Sequence, residues 1–181
     1  METISKKITE TLAYINLVST RIDNVQEKMM LIQQAMLEFK KESCVEYIND
    51  YNREDIDNFK SEFITLTNKG TSNMIQMCEI WKKLVAAWNR KLNNLSSMVL
   101  PHELEQEPEV YLGNVTEQLK EKFDTEIDAL DRNCSQYIES YKEMIEILSS
   151  IYQNKIKTEP PIDFDTHIRM LCSSDISPLL N

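Results

Sequence analysis

Several cysteine and histidine residues of this chain could bind zinc or act as nucleophiles. They are Cys44, Cys78, Cys134, Cys172, His102 and His167. No two cysteines stand at Cys-x-x-Cys spacing, and only the two histidines could join them as zinc ligands. We therefore expect no metal site and no cofactor, and we interpret the cysteines as reduced, partly buried thiols on helices.

Alternating carboxylates form a second group that could do chemistry, as an acid–base pair or a cation site. They are Glu103, Glu105, Glu107 and Glu109, in a segment that contains Pro101 and Pro108. Nothing in this segment supplies an apolar pocket that would shift their pKa values, so we expect a solvated linker. The sequence also lacks a Gly-rich phosphate loop, a nucleophile elbow and a His-Glu zinc motif, so we expect no enzymatic activity.

A cluster of aromatic and basic residues is the third candidate, and it could bind a protein partner. It consists of Trp81, Lys82, Lys83, Trp88, Arg90 and Lys91. Two interpretations stay open for it. The tryptophans, seven residues apart, could fill a helical core, or the cluster could dock an acidic partner surface.

Composition and charge narrow the class of protein that must carry these residues. The 181 residues include only 2 glycines and 5 prolines, too few for the tight turns of a β-sandwich or barrel. The net charge is −10, and residues 101–181 alone contain 7 basic and 17 acidic side chains. This balance argues against binding to nucleic acid or to anionic membrane surfaces. No apolar run is long enough to span a membrane and the first residues lack a signal-peptide pattern, so we expect a cytoplasmic protein, with the nucleus as the other location.

Three long segments have the apolar spacing of amphipathic helices. Segment 3–49 repeats steps of three and four through Ile15, Val18, Ile22, Val25, Met29, Ile32, Met36 and Phe39. Segment 53–99 continues such steps through Ile56, Phe59, Phe63, Leu66, Gly70, Met74, Met77, Trp81, Leu84, Trp88, Leu92, Leu95 and Val99. Gly70 could mark a kink or a loop in it, and we favour a continuous or merely kinked helix. Segment 114–157 shows the pattern at Leu119, Phe123, Ile127, Leu130, Cys134, Tyr137, Tyr141, Met144 or Ile145, Leu148, and Ile151 or Tyr152.

These segments predict an all-α fold, an elongated antiparallel three-helix bundle or coiled coil, over residues 1–157. Their similar lengths and short connections favour helices that fold back on one another. Residues 158–181 form a short C-terminal tail, in which Asp165 could cap a helix that carries Ile168, Leu171 and Cys172. Phe164, Ile168 and Leu171 are candidate partner-binding residues. The tail could be a strap on the bundle or a linear motif that docks on a partner, and both interpretations stay open.

The stretch from Met77 to Leu95, with Ile80-Trp81, Leu84, Ala87 and Arg90, resembles the final helix of spectrin-type repeats. Its Ile-Trp-x-x-Leu pattern also resembles that of antiparallel microtubule-bundling proteins. The likeness is confined to this stretch, and no Trp stands in the first segment. We assign no family from it.

The function that these features favour is non-enzymatic. We expect a helical subunit or adaptor of a larger cytosolic assembly of the cytoskeletal or motor, kinetochore or vesicle-tethering type, acting as a scaffold through coiled-coil contacts. Further apolar residues beside the seams suggest burial against other helical proteins, in a hetero-oligomer or a homodimer: Met30, Leu31, Ile64, Ile80, Val85 and Ile147. The alternative is a free-standing regulatory bundle of a host or a pathogen, which captures one partner through its Trp and basic face or its tail.

Overall fold

A computed structural model of the chain describes residues 2–97 and 108–173. These residues form four α-helices: α1 (Glu2–Lys41), α2 (Arg53–Ser97), α3 (Pro108–Lys155) and α4 (Phe164–Leu171). A 3-10 turn, Asp50–Asn52, precedes α2. Over the described ranges there is no β-strand, only an isolated bridge between Tyr47 and Ile156. The expected all-α helical bundle is therefore confirmed.

The helices differ from the predicted segments at their ends, for local reasons. The first segment was predicted to reach Asn49, but α1 ends at Lys41. The next two positions of its apolar seam would be Ser43 and Glu46, which offer nothing to bury. The third segment was predicted to begin at residue 114, but α3 begins at Pro108. A proline is well tolerated in the first turn of a helix, where its missing N–H would have no helical partner.

The chain divides into two compact units. Unit 1 comprises residues 1–23 and 77–132. In it, the Thr11 and Thr116 hydroxyls lie 3.0 Å apart, and Arg21 binds Asp128 at 2.6 Å and Asp131 as well. Because residue numbers increase together along α1 and α3, these two helices run parallel in unit 1.

Unit 2 comprises residues 24–76 and 133–181. Here Nε2 of Gln33 donates to the Thr71 hydroxyl at 3.0 Å, whereas Lys60 near the start of α2 binds Glu42, which follows α1. Residue numbers therefore increase along one helix as they decrease along the other. This unit confirms the expected antiparallel packing of α1 against α2.

The apolar seam predicted for α1 is confirmed, because its eight positions from Ile15 to Phe39 are all buried. The stripe of α3 is also buried, with Ile145 and Tyr152 rather than Met144 and Ile151 at the two ambiguous positions. Its centre includes Ile138, whereas Tyr137 is half-buried.

The stripe predicted for α2 is partly wrong, because Leu66 and Met77 are exposed. Ile56, Phe63 and Leu92 are buried as predicted. The other buried positions of α2 were not in the predicted stripe, and they are Lys60, Thr67, Thr71, Cys78 and Val85. Polar side chains occupy core positions because their hydrogen bonds are made within the fold. The Thr71 hydroxyl, for example, donates to the Thr67 carbonyl at 2.9 Å and accepts from Gln33.

Helix α2 is continuous through Gly70, which is neither a loop nor at a left-handed φ. The glycine permits a close approach instead. A Cβ placed on Gly70 would lie 2.8 Å from Cε2 of Tyr137, so the ring packs directly on the helix backbone. The Tyr137 hydroxyl donates to the Thr67 carbonyl at 3.1 Å, which fixes the ring there.

Candidate docking face

The exposed side of α2 in unit 1 carries apolar and basic residues in one line. Ile80, Lys83, Ala87 and Arg90 follow one another at steps of three and four, and all four are exposed. We call this line the α2 face. Ile80 has 67% of its surface exposed. Neither Lys83 nor Arg90 makes an ion pair within residues 2–97 and 108–173, so both cations are available to a partner.

An aromatic ring borders the α2 face. Trp88 is half-buried, and Nζ of the exposed Lys91 lies 4.7 Å from the centroid of its indole ring. This cation–π contact holds the ammonium group beside an aromatic surface that is partly open to solvent. Trp88 and Lys91 thus extend the α2 face with the combination of ring and charge that is common at the centre of protein interfaces.

The other two residues of the predicted cluster, Trp81 and Lys82, contact α3 and α1 within unit 1. The indole ring of Trp81 packs edge-on against Phe123 of α3, with centroids 5.9 Å apart. Nζ of Lys82 lies 2.9 Å from Oδ1 of Asp23 on α1. Trp81 is thus half-buried against α3, and Lys82 pairs with a carboxylate of the same unit.

The tail of the chain packs on unit 2 through α4. Asp163, rather than the predicted Asp165, is the N-cap, because its carboxylate accepts from the backbone N–H groups of Asp165 and Thr166. Phe164 stacks on Phe39 of α1 with centroids 6.0 Å apart, and Leu171 is fully buried. Ile168 is half-buried. Residues 158–173 thus follow the strap interpretation, and Leu171 has no surface to offer a partner while α4 is docked. Residues 174–181 lie outside the described ranges.

His167 has a partner that the sequence did not reveal. Its Nε2 lies 2.6 Å from the buried hydroxyl of Tyr141, and the two rings meet edge-on with centroids 5.6 Å apart. Burial lowers the pKa of His167 to about 4. The imidazole is therefore neutral near pH 7 and belongs to the packing of α4 on the bundle.

A buried polar cluster in unit 2 was also missed. Lys60 donates to Glu42 and to the Tyr152 hydroxyl, the latter at 3.0 Å, and Tyr152 donates to Glu42. The side chains of Lys60 and Glu42 are only 11% and 7% exposed. A sequence signal did exist, since Lys60 stands four residues after Ile56 and three before Phe63, in register with the buried stripe.

The described residues give no sign of metal chemistry or of a membrane span. Within residues 2–97 and 108–173, no three His, Cys, Asp or Glu side chains gather closely enough to hold a metal ion. None of the helices in those ranges is sufficiently long and apolar to cross a bilayer. The four cysteines form no disulfide; Cys78 and Cys134 are buried, whereas Cys44 and Cys172 are exposed. His102 and the carboxylates from Glu103 to Glu107 lie outside the described ranges.

Comparison of the chain with models of known protein families, with curated proteins and with solved structures finds no match. The inference of function therefore depends on the geometry of the described residues.

Proposed function

We propose that this protein is a non-enzymatic helical subunit or adaptor of a cytoplasmic assembly, and that it binds an acidic partner through the α2 face. The exposed line of Ile80, Lys83, Ala87 and Arg90 is the observation that supports the proposal. Exposure of the apolar Ile80 side chain to water is unfavourable, and Lys83 and Arg90 make no ion pair within the described ranges. A partner that covers Ile80 with apolar surface and places carboxylates beside the two cations would therefore bind with a favourable free energy. A helix of a cytoskeletal, kinetochore or vesicle-tethering subunit with an acidic flank would supply both.

Charge reversal on the α2 face tests this proposal. The Lys83→Glu/Arg90→Glu variant should fold normally, because both side chains are exposed and outside ion pairs among the described residues. The amount of partner that cross-linking mass spectrometry recovers with this variant from the protein's own cell should fall about tenfold. Cross-links of the original protein should join Lys83 or Lys91 to acidic segments of that partner. The remaining binding should depend less on salt concentration.

A matched control separates the α2 face from net charge. Lys6→Glu/Lys122→Glu makes the same change of charge at two exposed positions of unit 1 and should leave partner recovery unchanged. Equal losses in both variants, or full recovery with Lys83→Glu/Arg90→Glu, would contradict the proposal.

One observation favours the second candidate function, a free-standing regulatory bundle that captures a single partner. Each unit buries its own apolar core, and α4 packs on the same chain that carries it. This candidate requires a monodisperse monomer in light scattering that is as stable alone as with its partner. A chain that is soluble only when its partner is co-expressed would favour the subunit function instead.

A further inference from the structure

A second exposed apolar surface lies in unit 2, in a groove between α2 and α3 that is distinct from the α2 face. The groove has a volume of about 320 Å³, and Phe59, Leu66, Tyr137 and Met144 contribute apolar surface to it. We call it the α2–α3 groove. Leu66 is 68% exposed, more than any other large apolar side chain of α2 in the described ranges. The groove therefore leaves apolar surface in water that a partner could cover.

Packing contacts and a hydrogen bond hold the side chains that form the walls of the α2–α3 groove. On one side, the Tyr137 ring lies against Gly70 and its hydroxyl donates to the Thr67 carbonyl. On the other, Phe63 stacks between Phe59 and Tyr141, with centroids 6.3 and 6.0 Å apart. Because the Tyr137 hydroxyl is bound within α2, the ring presents apolar surface without an unsatisfied polar edge. Binding would need little ordering of these side chains, which favours affinity.

Unit 2 contains one example of a short helix that packs on two long helices. Helix α4 packs against α1 and α3 with Phe164 and Leu171, seven residues apart, on its buried side. Two neighbouring long helices can thus bind a short third helix through apolar residues about two turns apart. The α2–α3 groove offers Phe59 and Leu66, also seven residues apart, on its α2 wall.

Charge indicates which helix the α2–α3 groove would accept. Glu62 is the charged residue of its lining, and Glu143 follows the lining residue Ser140 by three residues on the same side of α3. Lys69 stands about one turn after Leu66 on α2, at the end of the α2–α3 groove away from Glu62. We propose that the α2–α3 groove binds an amphipathic helix of a partner protein, with apolar residues at i, i+3 or i+4 and i+7 and a Lys or Arg that faces Glu62. This goes beyond the proposed function, since the α2 face takes a partner of the opposite charge.

Two synthetic helical peptides of about four turns test the proposal. Both carry leucine along one side; one has lysine on its flanks, and its twin has glutamate there. The full chain should bind the lysine peptide saturably in fluorescence anisotropy, about fivefold more tightly than the glutamate peptide. Binding should shift the methyl NMR signal of Met144, assigned with a Met144→Leu variant.

Surface variants test whether the peptide binds in the α2–α3 groove. Leu66→Ser should weaken binding of the lysine peptide about tenfold. Leu17→Ser, which changes a leucine of unit 1 that is 66% exposed, should leave binding unchanged. Glu62→Lys should reverse the preference between the two peptides. Circular dichroism verifies that each variant keeps its helix content.

Several outcomes would overturn the proposal. They are the absence of a saturable Met144 shift, an equal loss with Leu17→Ser, self-association of the chain that Leu66→Ser abolishes, and binding to phosphatidylcholine vesicles that Leu66→Ser abolishes. The last two would identify a second copy or a lipid as the occupant. Lys83→Glu/Arg90→Glu should not affect the lysine peptide, so failure of this proposal can be told from failure of the proposed function.

Discussion

Replacing Lys60 by methionine tests whether the buried cluster of Glu42, Lys60 and Tyr152 is held together by its charge pair. Methionine fills a similar volume but leaves the Glu42 carboxylate, 7% exposed, without its cation. Breaking a buried pair in this way costs roughly 3–5 kcal/mol. We expect about 3 kcal/mol, because the Tyr152 hydroxyl still donates to Glu42. Urea unfolding followed by circular dichroism at pH 7 measures the loss.

A double-mutant cycle separates the pair from the packing around it. Glu42→Leu alone should also cost about 3 kcal/mol, since it leaves the Lys60 ammonium buried beside a neutral hydroxyl. The double variant, Lys60→Met/Glu42→Leu, removes both charges and should fall within about 1–2 kcal/mol of the original protein. The coupling energy should therefore be at least about 4 kcal/mol.

A surface pair provides the control for this cycle. Lys41 lies 3.7 Å from Glu38 with both side chains exposed, and Lys41→Met should change the free energy of unfolding by less than about 0.5 kcal/mol. If the Lys60→Met and Glu42→Leu losses simply add in the double variant, the charges do not stabilise each other. The reasoning about the buried cluster would then be refuted.

Two further predictions concern Gly70 and His167. Gly70→Ala should destabilise the protein by about 1–2 kcal/mol because the new Cβ meets the Tyr137 ring, whereas in a Tyr137→Ala background it should stabilise the helix by up to about 1 kcal/mol. Stabilisation in the original background, measured by urea unfolding, would contradict this. The pKa of His167 is about 4 in the folded protein and roughly 6.5 in the unfolded chain. The contribution of the neutral imidazole to the free energy of unfolding is therefore complete above pH 6.5. It is lost as the pH falls towards 4, because the unfolded chain takes up the proton first. The free energy of unfolding should fall by about 3 kcal/mol over this range, and a His167→Gln variant with the same pH dependence would contradict the assignment.

The sequence was sufficient to predict the apolar seam of α1 but only part of the core of α2. The seam of α1 consists of apolar residues at alternating steps of three and four, so its buried side follows from spacing alone. In α2, Lys60 and Thr71 occupy core positions. Their partners Glu42 and Gln33 stand far away in the sequence, and apolar spacing carries no information about such pairs.

The candidate docking residues show the same limit. Trp81 and Trp88 stand on one stripe and are both half-buried, yet Trp81 packs on Phe123 of α3 whereas Lys91 borders Trp88. The apolar spacing is the same for both residues, so it does not predict these different contacts. The packing of the tail on unit 2 likewise depends on the contact between Phe164 and Phe39 of α1. Because Phe39 stands far away in the sequence, no local pattern in the tail predicts this contact.

Apolar residues of α2 that keep surface open to solvent stand beside its polar core positions. Lys60 and Thr67 are buried, whereas their apolar neighbours Phe59 and Leu66 are half-buried and exposed, respectively. Ile80 stands two heptads after Leu66, with Asn73 at the position between them. An α-helix with two apolar lines can bury only one of them against a single pair of neighbours. The α2–α3 groove in unit 2 and the α2 face in unit 1 are therefore two parts of one sequence feature. If both bind partners, replacing these apolar residues with polar ones should remove binding while leaving the bundle folded.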